Sequence, residues 1–312
     1  MKVSVVVNTY NVETTLERCL DSVVGQSFID FECIVVDDCS SDQTCIICEK
    51  YKKKDKRISV YYNKTNQGCS LTRKTGLDHS KGDYILFIDG DDWMEHDFLE
   101  KMLKKAYLED ADLVYCDYFE EDGEMSRYMP QNIDKKTKYQ IIASMVSYNP
   151  LLVSSLWNKL IKRELALRAE FPEERYGEDM YISLQLAYFS TKSSYLPIPL
   201  YHYWVNNSSS MCNNIAKEAE RKLAMYDICK KILVFLDAHY LNNTMFEPFL
   251  SIRINKTALR IFSNPALQKE RNPFSLYPPA IKYLFRKEVQ CNFIIKLKYL
   301  LCLLGYKIIR WF

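Results

Sequence analysis

The strongest constraint on the fold is an alternation that repeats through the opening part of the chain. Short apolar runs rich in β-branched residues are each followed by a stretch whose apolar residues recur at helical spacing. Val3 to Val7 is a run of valines broken only by Ser4, read as a strand buried on both faces. Leu16, Cys19, Leu20 and Val23 then repeat with a helical period, and Asn11 offers a cap for that helix. Cys33-Ile34-Val35-Val36 predicts a second buried strand ending in Asp37 and Asp38, after which Ser40 or Ser41 can cap a helix carrying Cys45, Ile47, Cys48 and Tyr51. Ile58 to Tyr62, Tyr84 to Ile88 and Leu113 to Cys116 read as three further strands. Strands joined by helices of this length predict an α/β fold with a doubly wound, mostly parallel sheet.

Polar residues gather where those strands stop. Asn8-Thr9-Tyr10-Asn11 follows the first, Asp37-Asp38 the second, and Asp89-Gly90-Asp91-Asp92 the fourth. Ligands of open α/β sheets bind outside the carboxyl ends of the strands, so three polar strand ends predict one shared crevice. Three carboxylates within Asp89 to Asp92 repel one another unless a cation sits among them, and hard ions such as Mg²⁺ or Mn²⁺ prefer such oxygens together with phosphate. The competing reading is a solvated turn in which Asp92 caps a helix after Trp93. Tyr10 can stack on a flat base, and Asp38 can accept a hydrogen bond from a ring NH such as that of uracil. Arg73, beyond Asn66-Gln67-Gly68, can reach a diphosphate or pair with an acid.

Composition narrows the partners. The 312 residues, 48% hydrophobic and 26% charged, exclude a disordered chain and allow one large domain or two. Forty-two basic against 40 acidic side chains give a net charge of +2, so no nucleic-acid partner is expected. The 11 cysteines contain no second Cys-x-x-Cys beside Cys45 and Cys48, and read as thiols of a reduced cytosolic protein. MKVSVVVNTYN passes straight into a strand without a cleavable signal, and no stretch reaches ~18 uncharged apolar residues, so the expectation is a chain that stays inside the cell.

After Asp122-Gly123 the alternation decays into mixed segments that include Trp157-Asn158-Lys159-Leu160. Gly177-Glu178-Asp179 reads as a helix start with acids in its first turn, and Pro197 and Pro199 bracket a short strand or turn leading to Tyr201-His202-Tyr203-Trp204. From about Asn214 the pattern is helical. The stretch from Asn292 to Phe312 has no acid, carries Lys296, Lys298, Lys307 and Arg310, and ends in Trp311-Phe312. Lys296, Lys307 and Arg310 fall on one helical face, with Ile294, Leu297, Leu301, Leu304 and Ile308 filling much of the rest, a pattern suited to a membrane interface or to packing back on the protein.

Five motifs in order, VSVVVNTYN, IVVDDCSSDQT, NQGCSLTRKTGL, GDYILFIDGDDWM and YGEDM, make the chain resemble family-2 glycosyltransferases of GT-A fold over roughly residues 2 to 205. The resemblance implies a nucleotide-diphosphate sugar donor, most often a UDP-sugar, a divalent metal (Mg²⁺ or Mn²⁺) and inversion at the anomeric carbon. Carried over by position, Thr9, Tyr10 and Asp38, with Asn11 beside them, hold the nucleotide, and Arg73 and Asp89 complete its site. Asp89 and Asp91 form the D-x-D pair for ribose and metal, with Asp92 able to ligate the metal directly; apart from the resemblance, His202 in the Tyr-His-Tyr-Trp run reads either as a further metal or phosphate ligand or as a structural histidine. Asp179 is the general base, with Glu178 as its alternate. Relatives often have proline at the position of Asn8, and Ala-Arg-Asn where this chain has Thr72-Arg73-Lys74. The Gln-x-x-Arg-Trp signature of processive members is absent, which implies addition of a single sugar.

The expected organisation is a catalytic domain over 1–210, with a nucleotide half (1–118) and an acceptor half (119–210), followed by a helical region over 211–312. The expected work is synthesis of a surface polysaccharide or glycolipid on a glycan or lipid-linked acceptor, in the cytoplasm and peripheral to the inner face of the membrane. A catalytically inactive sugar-nucleotide-binding scaffold and a receiver-type signalling module are the rival readings.

Overall fold

The computed structural model describes residues 2–146, 154–205, 218–239, 241, 246–263, 284–285 and 293–303. They fall into two compact units, one comprising Met1–Ile142 with Leu151–Asn213 and the other Ala143–Pro150 with Asn214–Phe312.

The first unit is built on one sheet. Strands β1 (Val3–Thr9), β2 (Phe31–Asp37), β3 (Ile58–Tyr62) and β4 (Tyr84–Asp89) lie parallel in the order β3-β2-β1-β4, joined by helices α1 (Leu16–Val24), α2 (Thr44–Lys54) and α3 (Cys69–His79). One face, carrying Val3, Val5, Val7, Cys33, Val35, Leu86 and Ile88, packs with Leu16, Leu20 and Val23 of α1. Helix α4 (Phe98–Glu109) adds Phe98, Leu99 and Met102 to the same core. Val6, Ile34, Val36 and Phe87 point to the other face and are equally buried, with α3 against β1 and β2. Burial on both faces is why these strands read as continuous apolar runs. Gly76 lets α3 approach closely, since a Cβ there would lie 2.2 Å from a methyl of Val6.

Beyond β4 the parallel pattern breaks. Strand β6 (Leu113–Glu121) does not adjoin β4, because β8 (Lys159–Lys162) runs between them, antiparallel to both. Strand β9 (Ser193–Trp204) then pairs parallel to β6, β7 (Ser126–Met129) forms a hairpin on β6, and the two-residue β5 (Trp93–Met94) pairs with the end of β9. The stretch around Pro197 and Pro199 belongs to one long strand. The prolines sit at register shifts opposite Cys116 to Tyr118, where their missing N–H groups do not interrupt a regular ladder.

Several helix starts differ from the sequence expectation. Asn11 adopts φ 50° and does not cap α1, which begins after Thr15. Helix α2 begins after Gln43, with the Asp42 carboxylate accepting from the Thr44 N–H, while Ser40 turns elsewhere. Asp92 caps no helix: β5 follows it, and α4 starts after Asp97. Helices α5 (Lys138–Val146) and α6 (Arg163–Ala166) follow, and α7 (Glu178–Phe189) starts where its acidic first turn predicts, after Gly177 in the left-handed region.

The second unit contains α8 (Glu218–Ala238), α9 (Glu247–Phe262) and a last described helix, α10 (Phe293–Leu303). Tyr299 of α10 is buried with Ile252, Leu259 and Phe262 of α9 and with Leu284. Lys296 is 7% exposed, whereas Phe293 and Ile294 are 65% and 60% exposed, so this part of the helix turns apolar side chains outward and a lysine inward. Leu304, Lys307, Ile308, Arg310, Trp311 and Phe312 lie outside the described residues. No described helix is long and apolar enough to cross a membrane.

Candidate active site

The carboxyl ends of β1, β2 and β4 lie side by side, with Thr9 in register with Asp37 and Asn8 with Asp89, and loops stitched to one another frame them. The Asn11 N–H donates to Ser40 Oγ at 2.9 Å, and Asn11 Oδ1 accepts from the Ser41 N–H at 2.8 Å. The Val12 N–H donates to Thr44 Oγ1, and the Gln43 N–H to Glu13. Asn11 therefore ties the β1 loop to the β2 loop through its own side chain.

The two aspartates that end β2 have different tasks. Asp37, 1% exposed, accepts from Thr9 Oγ1 at 3.1 Å, Ser40 Oγ at 2.5 Å and the Ser40 N–H at 2.9 Å, which commits it to the interior. Thr9 thus spends its hydroxyl on Asp37. Asp38 accepts at 2.8 Å from Asn63 Nδ2, the Gln67 N–H and the Gly68 N–H. Two of these reach Oδ1 and one reaches Oδ2, so three of about four lone-pair positions are filled. Gly68 meets Asp38 at φ 88°, a conformation that suits glycine, and its backbone lies against the Arg175 side chain. Tyr10, which directly follows β1, is 48% exposed.

Arg73 brings the distant acids together. Its side chain, 3% exposed, donates from Nη2 to Asp89 Oδ1 at 2.7 Å and from Nη1 to Asp179 Oδ1 at 2.6 Å, with Glu178 Oε1 3.8 Å from Nη1. Both aspartate side chains remain 22% exposed, so the guanidinium is covered while the acids keep an edge toward solvent. Burial lifts the pKa of Glu178, with the adjacent Asp179 adding to the rise; burial also lifts Asp179, against the pull of Arg73. This pair binds protons more readily than an exposed carboxylate does. Lys159, fully buried on β8, lies close enough for its charge to bear on Asp179, and burial pushes its ammonium down to about 7. Its Nζ donates to Asn158 Oδ1 at 2.8 Å and to the Ser155 carbonyl.

The acidic turn after β4 is fastened from β9. Tyr201 Oη donates to Asp92 Oδ2 at 2.7 Å and accepts from the Asp89 N–H at 3.3 Å, while the Trp204 N–H donates to Asp92 Oδ1 at 2.8 Å. Asp92 is fully buried, and burial beside Asp91 and Asp89 holds its pKa well above the usual carboxylate range. It lies inside the turn, and each of its oxygens accepts one hydrogen bond. His202 is likewise engaged, with Glu121 2.7 Å from Nδ1, Glu95 3.1 Å from Nε2, and its ring stacked on Trp93. Asp91 is partly buried, and its carbonyl accepts from Arg18 Nη2 at 2.8 Å, whose guanidinium lies 3.7 Å above the Trp93 ring.

Sequence reading missed Tyr201, Trp204 and Lys159 as parts of this site. The Tyr-His-Tyr-Trp run carried a signal, but it drew attention to the histidine rather than to the phenol, which lies 109 positions from its partner Asp92. The lysine carried no local signal, since it stands at the start of the short strand Lys159-Leu160-Ile161-Lys162.

Among the described residues no three acids, histidines or cysteines gather as a metal cage. Asp89 and Asp91 offer two carboxylates, and Mg²⁺ commonly sits on one or two carboxylates plus substrate phosphates, so the pair fits a metal that arrives with a diphosphate.

Comparison with known proteins gives a consistent result. The family model described as glycosyl transferase family 2 matches residues 4–168. The Bacillus subtilis glycosyltransferase EpsH is 36% identical over 234 residues, covering 72% of this chain and 67% of the relative. The Campylobacter jejuni GalNAc(5)-diNAcBac-PP-undecaprenol beta-1,3-glucosyltransferase is 28% identical over 234 residues, covering 74% of each chain. The crystal structure of S. aureus TarS 1–349 in complex with UDP-GlcNAc superposes with a TM-score of 0.64 at 26% identity, over 93% of this chain and 82% of that one.

Proposed function

Because the chain belongs to glycosyltransferase family 2, we propose that its crevice transfers one sugar from a UDP-sugar to an acceptor hydroxyl with inversion of the anomeric centre. The observation that carries this reading is Arg73, which holds Asp89, beside the nucleotide loops, and Asp179, at the start of α7, in one site. That juxtaposition joins a donor-binding edge to a candidate base, which neither a receiver-type module of ~120 residues nor a binding-only scaffold requires.

In this reading Tyr10 stacks on the base, and the remaining acceptor position of Asp38 takes the ring NH. Thr9 and Asn11 act through the loops, Thr9 by bracing Asp37 and Asn11 by joining the β1 and β2 loops. Arg73 neutralises the acids rather than clamping the diphosphate. Asp179 accepts the proton of the acceptor hydroxyl as its oxygen bonds to the anomeric carbon; its raised proton affinity suits that role. Glu178, beside it, tunes the pair. Attack on the face opposite the leaving diphosphate inverts the centre. Asp89 and Asp91 would hold Mg²⁺ or Mn²⁺, which when bound supplies positive charge for the diphosphate oxygens. Asp92 and His202 hold the turn and its neighbouring strand in place.

A lipid-linked or glycan acceptor in surface-polysaccharide or glycolipid synthesis fits the kind of relative the chain matches. The basic, acid-free stretch from Asn292 supports peripheral attachment to the inner membrane face from the cytoplasm. Co-sedimentation of the full-length chain with anionic vesicles should weaken as salt rises; no binding at low salt refutes the attachment. The donor is tested by a thermal-shift screen of UDP-, GDP- and TDP-sugars with Mn²⁺, followed by a product assay. A UDP-sugar should stabilise the protein and yield a product of opposite anomeric configuration. Stabilisation by none of these nucleotides, or a retained configuration, refutes the reading.

A further inference from the structure

Arg73 has a counterpart on the opposite side of the crevice. Arg175, partly buried, stands two residues before Gly177 in the segment that leads into α7. Its guanidinium reaches back 109 positions, donating from Nη1 to Asn66 Oδ1 at 2.7 Å and from Nη2 to the Asn66 carbonyl at 2.9 Å. The stem of the same side chain lies on Gly68, where a Cβ would sit 3.3 Å from Arg175 Cγ. A rigid fork that meets two acceptors of one residue fixes both the position and the orientation of that residue.

Asn66 leads into the turn whose next two N–H groups, on Gln67 and Gly68, each donate to the Asp38 carboxylate at 2.8 Å. Helix α3 starts directly after Gly68 and carries Arg73, which holds Asp179 at the start of α7. Residues 66–73 and 175–179 are thus cross-linked from both sides, Arg73 reaching forward to Asp179 and Arg175 reaching back to Asn66. Arg175 therefore bears on Asp38 through the loop: it holds the backbone that supplies two of the carboxylate's donors.

We propose that Arg175 is a positioning residue for base selection, fixing the Asn66 to Gly68 turn and with it the direction in which Asp38 presents its remaining acceptor position. Arg175 has this role only if Asp38 takes the ring NH of the base, so the assignment rests on the donor reading above. Uracil carries an NH at N3. Cytosine has a lone pair there, which a carboxylate oxygen repels. A firmly held Asp38 favours UDP over CDP, whereas a loosened one can turn aside and lose the distinction.

The test is calorimetric titration of the full-length protein with UDP and, separately, with CDP, each in the presence of Mn²⁺. The two ligands share ribose and diphosphate, so the ratio of their affinities reports the base alone. The wild type should prefer UDP; equal binding of both refutes the donor reading itself, and the role of Arg175 with it. Given that preference, Arg175→Met should lower the ratio by about tenfold, on the scale of one hydrogen bond. A folded Arg175→Met that keeps the wild-type ratio overturns the role of Arg175 and leaves the donor reading standing. Equal weakening of both nucleotides has the same meaning, since that is what general loosening of the site produces. Circular dichroism checks folding. Should Arg175→Met not fold, Asn66→Ala removes the Oδ1 contact alone and should lower the ratio by about threefold, and an unchanged ratio there is equally decisive against the proposal.

Discussion

Replacing Arg73 with methionine isolates the cation at the centre of the site. Methionine keeps much of the buried stem but leaves Asp89, Asp179 and Glu178 with no guanidinium between them, where Arg73 now sits 2.7, 2.6 and 3.8 Å from their oxygens. Removing one partner of a buried ion pair costs about 3–5 kcal/mol. In a unit of this size about 1 kcal/mol shifts Tm by roughly 2–4 °C, so the midpoint at neutral pH should fall by roughly 6–20 °C. The loss should depend on pH with a definite sign. Without Arg73 the folded-state pKa values of Glu178 and Asp179, already raised by burial, rise further above their unfolded values. The folded variant then binds more protons than its unfolded chain from the ordinary carboxylate range upward. Stability of the variant therefore falls as pH rises through that window, and its deficit against the wild type is smaller near pH 5 than near pH 8. Thermal unfolding of both proteins at the two pH values measures this, and Asp179→Asn added to Arg73→Met should restore part of the loss at pH 8. A deficit below about 1 kcal/mol, or one equal at both pH values, would refute the bridging role, since an exposed surface pair is worth no more than that.

Asp179→Asn should leave UDP affinity within a few-fold while transfer falls by about 10²-fold or more, read from calorimetry and initial rates; a parallel collapse of affinity moves the base elsewhere. Asp91→Asn should abolish transfer, and excess chelator should do the same to the wild type; full activity in chelator removes the metal from the scheme. Gly76→Ala places a Cβ 2.2 Å from Val6 Cγ1 and should destabilise by about 1–3 kcal/mol through overpacking, offset by about 1 kcal/mol of helix preference; an unchanged or higher Tm would show that α3 can shift freely.

The parallel half of the sheet was legible because β1, β2 and β4 are buried on both faces and so write their strands as unbroken apolar runs. The short strand β8 was not, since its apolar pair Leu160-Ile161 lies between two lysines, one of them buried for electrostatic reasons that no local pattern shows. Likewise the motif order identified the residues of the crevice, while their partners stayed hidden. Nothing near Arg73 announces acids 16 and 106 positions away, and nothing near Asp92 announces the Tyr201 hydroxyl. Asn11 misled because an asparagine before a helical pattern suits a cap and a left-handed loop equally well. The choice between them was made by Ser40 and Ser41 on another strand's loop.

The fastening of the acidic turn by β9 also sets when this region can finish folding. Asp92 finds its phenol and its backbone donor 109 and 112 positions later, and Arg73 finds Asp179 106 positions later. At a synthesis rate of about 5–20 residues per second, the turn waits roughly 5–20 s for those partners to be made. Until then Asp92 has no interior to enter. A fragment stopped at residue 118 would contain every nucleotide-side motif yet lack the clasp that closes them. The segments before and after residue 118 are thus tied together by side chains far apart in the chain, with the end of β9 supplying the last of those ties.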